Sequence, residues 1–484
     1  MSAPARVRYH DPNMRRAAIG LVCLSAACGD PSDGPSDAAQ SPDRAGFVLP
    51  DAGPRAEAGV TRRDARVEDT GGEAQPVRLT VFDLGRPAGG IVVTVHDSEG
   101  GFRGVTTTLE GAPTELAVPS GGMVTVLTEA TADDHTLYEA YTWTGVTPGD
   151  HLRFGSAEST AMTEGEHTLT VTLSPPPAGT TELVLDAGCG PVRTSTSATT
   201  ASLSIDGRCI DASQQVSVIA LARQRTDAVL AHATTSQVPV SATGTTSVPL
   251  GAWQTSGRRV QARLTSIPAD GFLGGVKVDP VRGHVVYQGP GHDRTLTSST
   301  TTVAFSIVAP DAFTPGHRVH VDVVHGTPMF PNGVIFWSQH STQQHPDQIV
   351  VDALTDIPPR MADLAVDRAE PGRARIGWLA DDDTRGYDGH LLSVTFSDQA
   401  RTQRWVVVAG PQLNQVRLPQ LPADLQGYVP SDEADLVQVQ VSLFEIDKVE
   451  GYDAFRQELG PRVYQVLNAR GDHVIAASVA GVDD

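Results

Sequence analysis

Lysine is nearly missing from this chain. Lys277 and Lys448 are the only two among 484 residues, and the other basic side chains are arginine. Acid outweighs base, 57 Asp and Glu against 36 Lys and Arg, for a formal charge of −21. That balance excludes nucleic acid as a partner, because phosphate contacts need a basic face. It fits a soluble surface instead. Apolar runs long enough to cross a bilayer, about 20 residues, are missing too. So are G-x-S-x-G, H-E-x-x-H and the P-loop, which removes the hydrolases, zincins and nucleotide enzymes that such motifs mark. The expectation is a chain with no catalytic residue, no metal and no cofactor.

Only four cysteines are present, and each has a context. Cys23 and Cys28 lie in or at the end of "RRAAIGLVCLSAACGDPSDGPSDAAQ". Two arginines lead into a short apolar run, Ala17 to Cys28, which then stops abruptly. Its length and basic flank fit the hydrophobic region of a signal peptide. From Gly29 to about Gln75 the chain is Ala, Asp, Gly, Pro, Arg, Ser and Glu with one apolar patch, "GFVLP". Such a tract cannot bury enough surface to offset the entropy of ordering, so disorder is expected. About 47 residues of coil give a tether of about 35–40 Å.

Ser25, Ala26 and Ala27 before Cys28 resemble the lipobox of bacterial lipoproteins, although Ser25 stands where that family usually has Leu. The resemblance implies lipid attachment at Cys28, cleavage before it, and membrane association through the anchor. Gly29, in place of the retention Asp, implies outer-membrane residence. Removing Met1 to Ala27 takes away four Arg and one Asp, leaving a mature charge near −24. The other two cysteines, Cys189 and Cys209, stand in "DAGCGPVRTSTSATTASLSIDGRCI". In an oxidising envelope they are expected to form a disulfide. A two-cysteine metal site and two buried thiols are the alternatives.

Beyond Gln75 the chain reads as strands. "VRLTVFDL", "GGIVVTVHDSEG", "TELAVPSGGMVTVLTE" and "HTLTVTLSP" are short, rich in Val, Thr and Leu, and punctuated by Gly, Pro and Asp. The fold class expected is mainly β, with tandem antiparallel β-sandwich modules behind the tether. "YDAFRQELG" and "DDHTLYEAYTW" are the two helical candidates. The divisions expected are a signal peptide over 1–27, the tether over 28–75, and modules over 76–176, 177–270, 271–358 and 359–484. "PPPAG" at 175–179 is read as a stiff break between the first two modules.

Two modules carry a family likeness. "GGIVVTVHDSEGGFRGVTTTLEGAPTELAVPSGGMVTV" resembles the carboxypeptidase-regulatory-like module, a prealbumin-like sandwich. Asp97 to Gly100 supplies its D-x-x-G turn and Val118 to Gly121 its V-P-x-G hairpin. The stretch "ADLAVDRAEPGRARIGWLADDDTRGYDGHLLSVTFSD" resembles a fibronectin-type-III-like sandwich, with Trp378 as its core aromatic. Both are accessory modules, so the resemblance carries over no catalytic residue.

Histidines cluster at 317, 320, 325, 340 and 345. In a strand, His317 and His320 face opposite ways, and His317 stands about 26 Å from His325 on the same face. They are read as solvated surface residues. "ADDDTRGYDGH" sets Asp381, Asp383 and Gly386 at calcium-loop positions 1, 3 and 6, but Arg385 and Leu392 break the pattern. The Arg-Gly-Asp at 470–472 is too short to carry weight. The reading is a lipid-anchored envelope protein of binding or structural type, whose candidate partners are an envelope protein or a polysaccharide. The alternative is an exported hydrolase with a pair of carboxylates in a cleft.

Overall fold

A computed structural model describes residues 75–481 apart from short stretches, the longest of them 156–166 and 463–473. The described chain is mainly β, in sandwich modules. Alternation explains the individual strands. In "VRLTVFD", Val77, Leu79 and Val81 are buried while Arg78 is exposed, as a pleated ribbon with one covered face requires.

The first sandwich has strands β1 (Val77–Asp83), β2 (Val92–His96), β3 (Phe102–Thr107), β4 (Thr114–Leu116), β5 (Gly122–Ala132), β6 (His135–Val146) and β7 (His151–Phe154). In one sheet β1 pairs antiparallel with β4 and parallel with β7. The other sheet runs β3-β2-β5-β6. The Asp97 turn joins β2 to β3, with Gly100 N donating to Asp97 O, and the Val118–Gly121 hairpin leads into β5.

The second sandwich has β8 (His167–Thr172), β9 (Glu182–Asp186), β10 (Val192–Thr194), β11 (Thr200–Ile205), β12 (Gln215–Arg223), β13 (Val229–Pro239) and β14 (Thr245–Pro249). The third has β15 (Arg258–Thr265), β16 (Gly271–Arg282), β17 (Gly291–Thr295), β18 (Thr301–Ile307), β19 (Gly316–Gly326), β20 (Pro331–Thr342) and β21 (Gln348–Asp352). Both repeat the plan of the first. The opening strand pairs antiparallel with the fourth strand, β11 or β18, and parallel with the closing strand, β14 or β21. The remaining strands run β10-β9-β12-β13 and β17-β16-β19-β20.

This plan moves two expected boundaries. "HTLTVTLSP" and "RRVQARLTSIP" are the opening strands of the second and third sandwiches, not the closing strands of the first and second. An opening strand pairs with distant partners, so local sequence cannot show which module owns it. The prolines at 175–177 therefore lie inside the second sandwich, between β8 and β9.

The fourth sandwich has β22 (Met361–Asp367), β23 (Arg375–Ala380), β24 (Gly389–Ser397), β25 (Arg401–Ala409), β26 (Gln415–Arg417), β27 (Asp435–Ile446) and β28 (Val474–Gly481). Its sheets are β22-β23-β26 and β25-β24-β27-β28. Trp378 on β23 is buried in its core.

The larger sheets join edge to edge. β25 pairs parallel with β6, and β28 pairs antiparallel with β20. The result is a thirteen-stranded sheet in which the fourth sandwich lies between the third and the first. From His135 onward "DDHTLYEAYTW" is therefore strand, the correction to its helical reading. Tyr141 and Trp143 alternate onto one face and are buried there. "YDAFRQELG" is helical as expected, in short turns over Gly451–Ala454 and Phe455–Leu459.

Candidate functional site

The most elaborate polar and apolar construction among the described residues is the joint between the first and fourth sandwiches. Its base is the parallel ladder from Arg401↔Thr136 to Val408↔Trp143. β25 feeds two cores from its two faces. Trp405, Val407 and Ala409 enter the fourth sandwich's core, and Val406 and Val408 enter the first's. That is why "WVVVA" is apolar without alternation. Arg404 lies 3.5 Å from Glu139 on the neighbouring strand.

The helical turns at 451–462 close one end of the joint. Phe455 and Leu459 are buried in the first sandwich's core. Arg456 is buried, and its guanidinium is paired with Asp150 at 2.8 Å and with Asp453 at 2.9 Å. It also donates to Gly145 O. Gln457 Nε2 donates to Asp150 Oδ1 at 3.2 Å. The Tyr452 hydroxyl stands 2.9 Å from Thr144 O and 3.1 Å from Val408 O, so it touches both strands of the ladder. Burial pushes that phenol up to about 12. Asp388 fixes the start of the segment, accepting from Ile446 N at 2.8 Å and Gly451 N at 2.9 Å. Burial raises its carboxyl above the usual range, against the pull of those two bonds.

The Asp97 turn makes a second set of contacts across the joint. Asp97 Oδ1 accepts from Glu99 N and Gly101 N, and Oδ2 pairs with Arg103 at 2.8 Å. These bonds, Gly101 N foremost, hold its carboxyl below the usual range. Across the joint, Arg373 Nη2 donates to Glu99 O at 2.6 Å and Gln420 N donates to Gly100 O at 2.9 Å. Gly100 is needed twice here. Its φ is +76°, and a Cβ would lie 3.2 Å from Pro419 Cα.

The arrangement fixes two modules to each other, and His135 Nε2 and Thr402 Oγ1, 2.8 Å apart, add a hydrogen bond across it. Of the residues singled out from sequence, the turn Asp97 to Gly100 lies in the joint and the candidate site residues lie elsewhere. Cys28 and the tether up to residue 74 are outside the described residues, as are His345 and the Arg-Gly-Asp at 470–472. Cys189 and Cys209 are joined in a disulfide with a Cα–Cα distance of 5.5 Å. They follow β9 and β11, which belong to opposite sheets, so the bridge ties the two layers of the second sandwich. Closing that loop stabilises the module by about 3 kcal/mol in the chain-entropy account.

His317 and His320 fall on opposite faces of β19, as alternation requires. His317 is buried rather than solvated, because its face carries Val319, Val321 and Val323 into the core. His320 Nε2 stands 3.5 Å from Asp279. His325 lies on the same strand and His340 on β20. Asp383 spends both oxygens on Arg385, whose hydrogen bonds hold its carboxyl down to about 2. Gly386 follows in the same turn, and Asp381 is outside the described residues. No group of three metal-ligating side chains forms among the described residues. No helix among them is long and apolar enough to cross a membrane. The joint itself escaped sequence reading, and its one signal was the unbroken apolar run in β25.

No protein-family model matches the sequence, and no curated protein matches it. Among solved structures the chain is similar to the FN1–FN3 domains of chicken CNTN1, at 9% identity and a TM-score of 0.14, over 56% of this chain and 86% of that one. A score that low leaves the fold to be argued from the strand order above.

Proposed function

We propose that this chain is a membrane-anchored lipoprotein of the cell envelope, non-catalytic and of binding or structural type. The observation that carries the reading is the run from Ala17, with its basic flank, ending in Ser25, Ala26, Ala27 and Cys28 before a polar tract. The Cys189–Cys209 disulfide supports it, since such bridges persist in oxidising compartments. The strand order β22-β23-β26 against β25-β24-β27-β28 fits a fibronectin-type-III-like module over 359–484. The plan of the first sandwich fits the carboxypeptidase-regulatory-like resemblance, and its recurrence extends that resemblance to the second and third. Outer-membrane residence follows from Gly29 by the lipoprotein resemblance, and an envelope protein or polysaccharide is the partner class proposed.

Mass spectrometry of the detergent-extracted N-terminus tests the anchor. We expect a diacylglyceryl-modified Cys28, and a shift to the soluble fraction on Cys28→Ser. An unmodified mature protein in the soluble fraction of the unsubstituted chain overturns the reading. Capture from envelope extracts with the body from Gln75 onward then identifies the partner class.

A further inference from the structure

We infer that the first three sandwiches are tension-bearing modules, each closed by a shear clamp between its incoming and outgoing strands. The inference goes beyond the anchoring proposal and does not depend on it. Its ground is a pairing repeated three times. The opening and closing strands of each sandwich are hydrogen-bonded neighbours and run parallel: β1 with β7, β8 with β14, β15 with β21.

Parallel pairing fixes how load arrives. The chain enters each module at the N-terminal end of the opening strand. It leaves at the C-terminal end of the closing strand. In a parallel pair those two points lie at opposite ends of the ladder. Tension along the covalent chain therefore slides the strands past each other, and the bonds between them must fail together. Had the pair been antiparallel, the two points would share one end and the bonds would open singly. The ladders run from Arg78↔His151 to Val81↔Phe154, from Thr245↔Thr168 to Pro249↔Thr172, and from Gln261↔Gln348 to Thr265↔Asp352. Each opening strand is also held on its other side by an antiparallel partner, β4, β11 or β18. Its inward side chains are core residues, Leu79, Leu169 and Val260 among them, all 0% exposed.

The clamps also stand in series. Phe154 leads to His167, and Pro249 leads to Arg258 past the two-residue strand Gln254–Thr255, which pairs with β13, so the closing strand of each sandwich precedes the opening strand of the next.

Single-molecule pulling on the full chain tests the inference with one ladder loaded in two ways. Handles at Gln75 and Ser159 load β1 and β7 from opposite ends. Handles at Gln75 and Pro148 load the same strands from one end, because Gly149 sits beside Gln75, a Cβ there falling 3.6 Å from Gln75 Oε1. Gln75 and Pro148 are exposed, so neither handle disturbs the core. Forced unfolding reads the unfolding barrier directly. At equal loading rate the first geometry is expected to need about twofold more force, or greater. Equal forces, or a lower force in the first geometry, overturn the clamp.

Discussion

His96 and His390 are imidazoles held neutral by their surroundings. Both are 0% exposed. His390 Nε2 donates to Pro411 O at 3.1 Å, and its ring meets Trp378 edge-on at 5.1 Å. His96 Nε2 shares a hydrogen bond with Thr94 Oγ1 at 2.9 Å, with Phe102 against its ring, Asp97 next to it and Arg373 across the joint. His96 Nδ1 has no hydrogen-bond partner, and the backbone of Ser442 is a second hydrogen-bond partner of His390. Burial pushes both down to about 4. Between that value and the ordinary 6.5, the unfolded chain binds protons that the folded chain refuses. Stability is therefore whole above pH 6.5 and falls as pH drops toward 4, by on the order of 3 kcal/mol per histidine. Urea titrations at pH 7, 5 and 4 measure the fall. His390→Gln keeps a donor for Pro411 O and cannot titrate, so its loss between pH 7 and 4 should be smaller than that of the unsubstituted chain. Parallel pH profiles would remove His390 from the account.

At the scale of elements, the segment Gly451–Arg462 earns its helical turns from sequence and its role from tertiary contact. Its apolar and charged residues were visible, but nothing nearby in sequence indicates that Arg456 meets Asp150 some 300 residues earlier. Arg456→Ala leaves the Asp150 carboxylate with one fewer cation in a buried setting. Breaking such a pair costs about 3–5 kcal/mol. Arg456→Met fills the same space with an apolar chain and still strands the carboxylate, so both should lower the denaturant midpoint. A midpoint unchanged in both would mean the ion pair contributes nothing net. The strands divide in the same way. Alternation made β1 legible, because one face meets water. "VSVIALAR" in β12 and "WVVVA" in β25 were legible as strands, but what covers their second faces was not. Ile219 and Leu221 meet Val285 and Tyr287 of the third sandwich, and Val406 and Val408 meet the first. An unbroken apolar strand announces two covered faces without naming the second cover. The disulfide was legible for a different reason: after the signal and anchor cysteines, two remained.

For the whole molecule, the consequence is that modules far apart in the chain are one folding unit. Of the 22 buried residues in the first sandwich's core, eight come from the fourth: Leu391, Val406, Val408, Phe444, Ile446, Val449, Phe455 and Leu459. At about 1.5–3 kcal/mol per fully buried large side chain, their removal withdraws on the order of 10 kcal/mol. A domain's entire stability is about 5–15 kcal/mol. The first sandwich thus depends on the fourth, although the second and third lie between them in sequence. The reverse dependence is smaller, since Leu127 and Ala140 are the first sandwich's buried residues in the other core. Trp143 and Trp405 report on the two sides, each 0% exposed and each in its own core. In two variants that retain one of them, with the other tryptophans replaced by Phe, the fluorescence transitions in urea should superimpose. Loss of Trp143 burial well before Trp405 burial would show that the first sandwich unfolds by itself, and that the parallel ladder joins two modules without making them one.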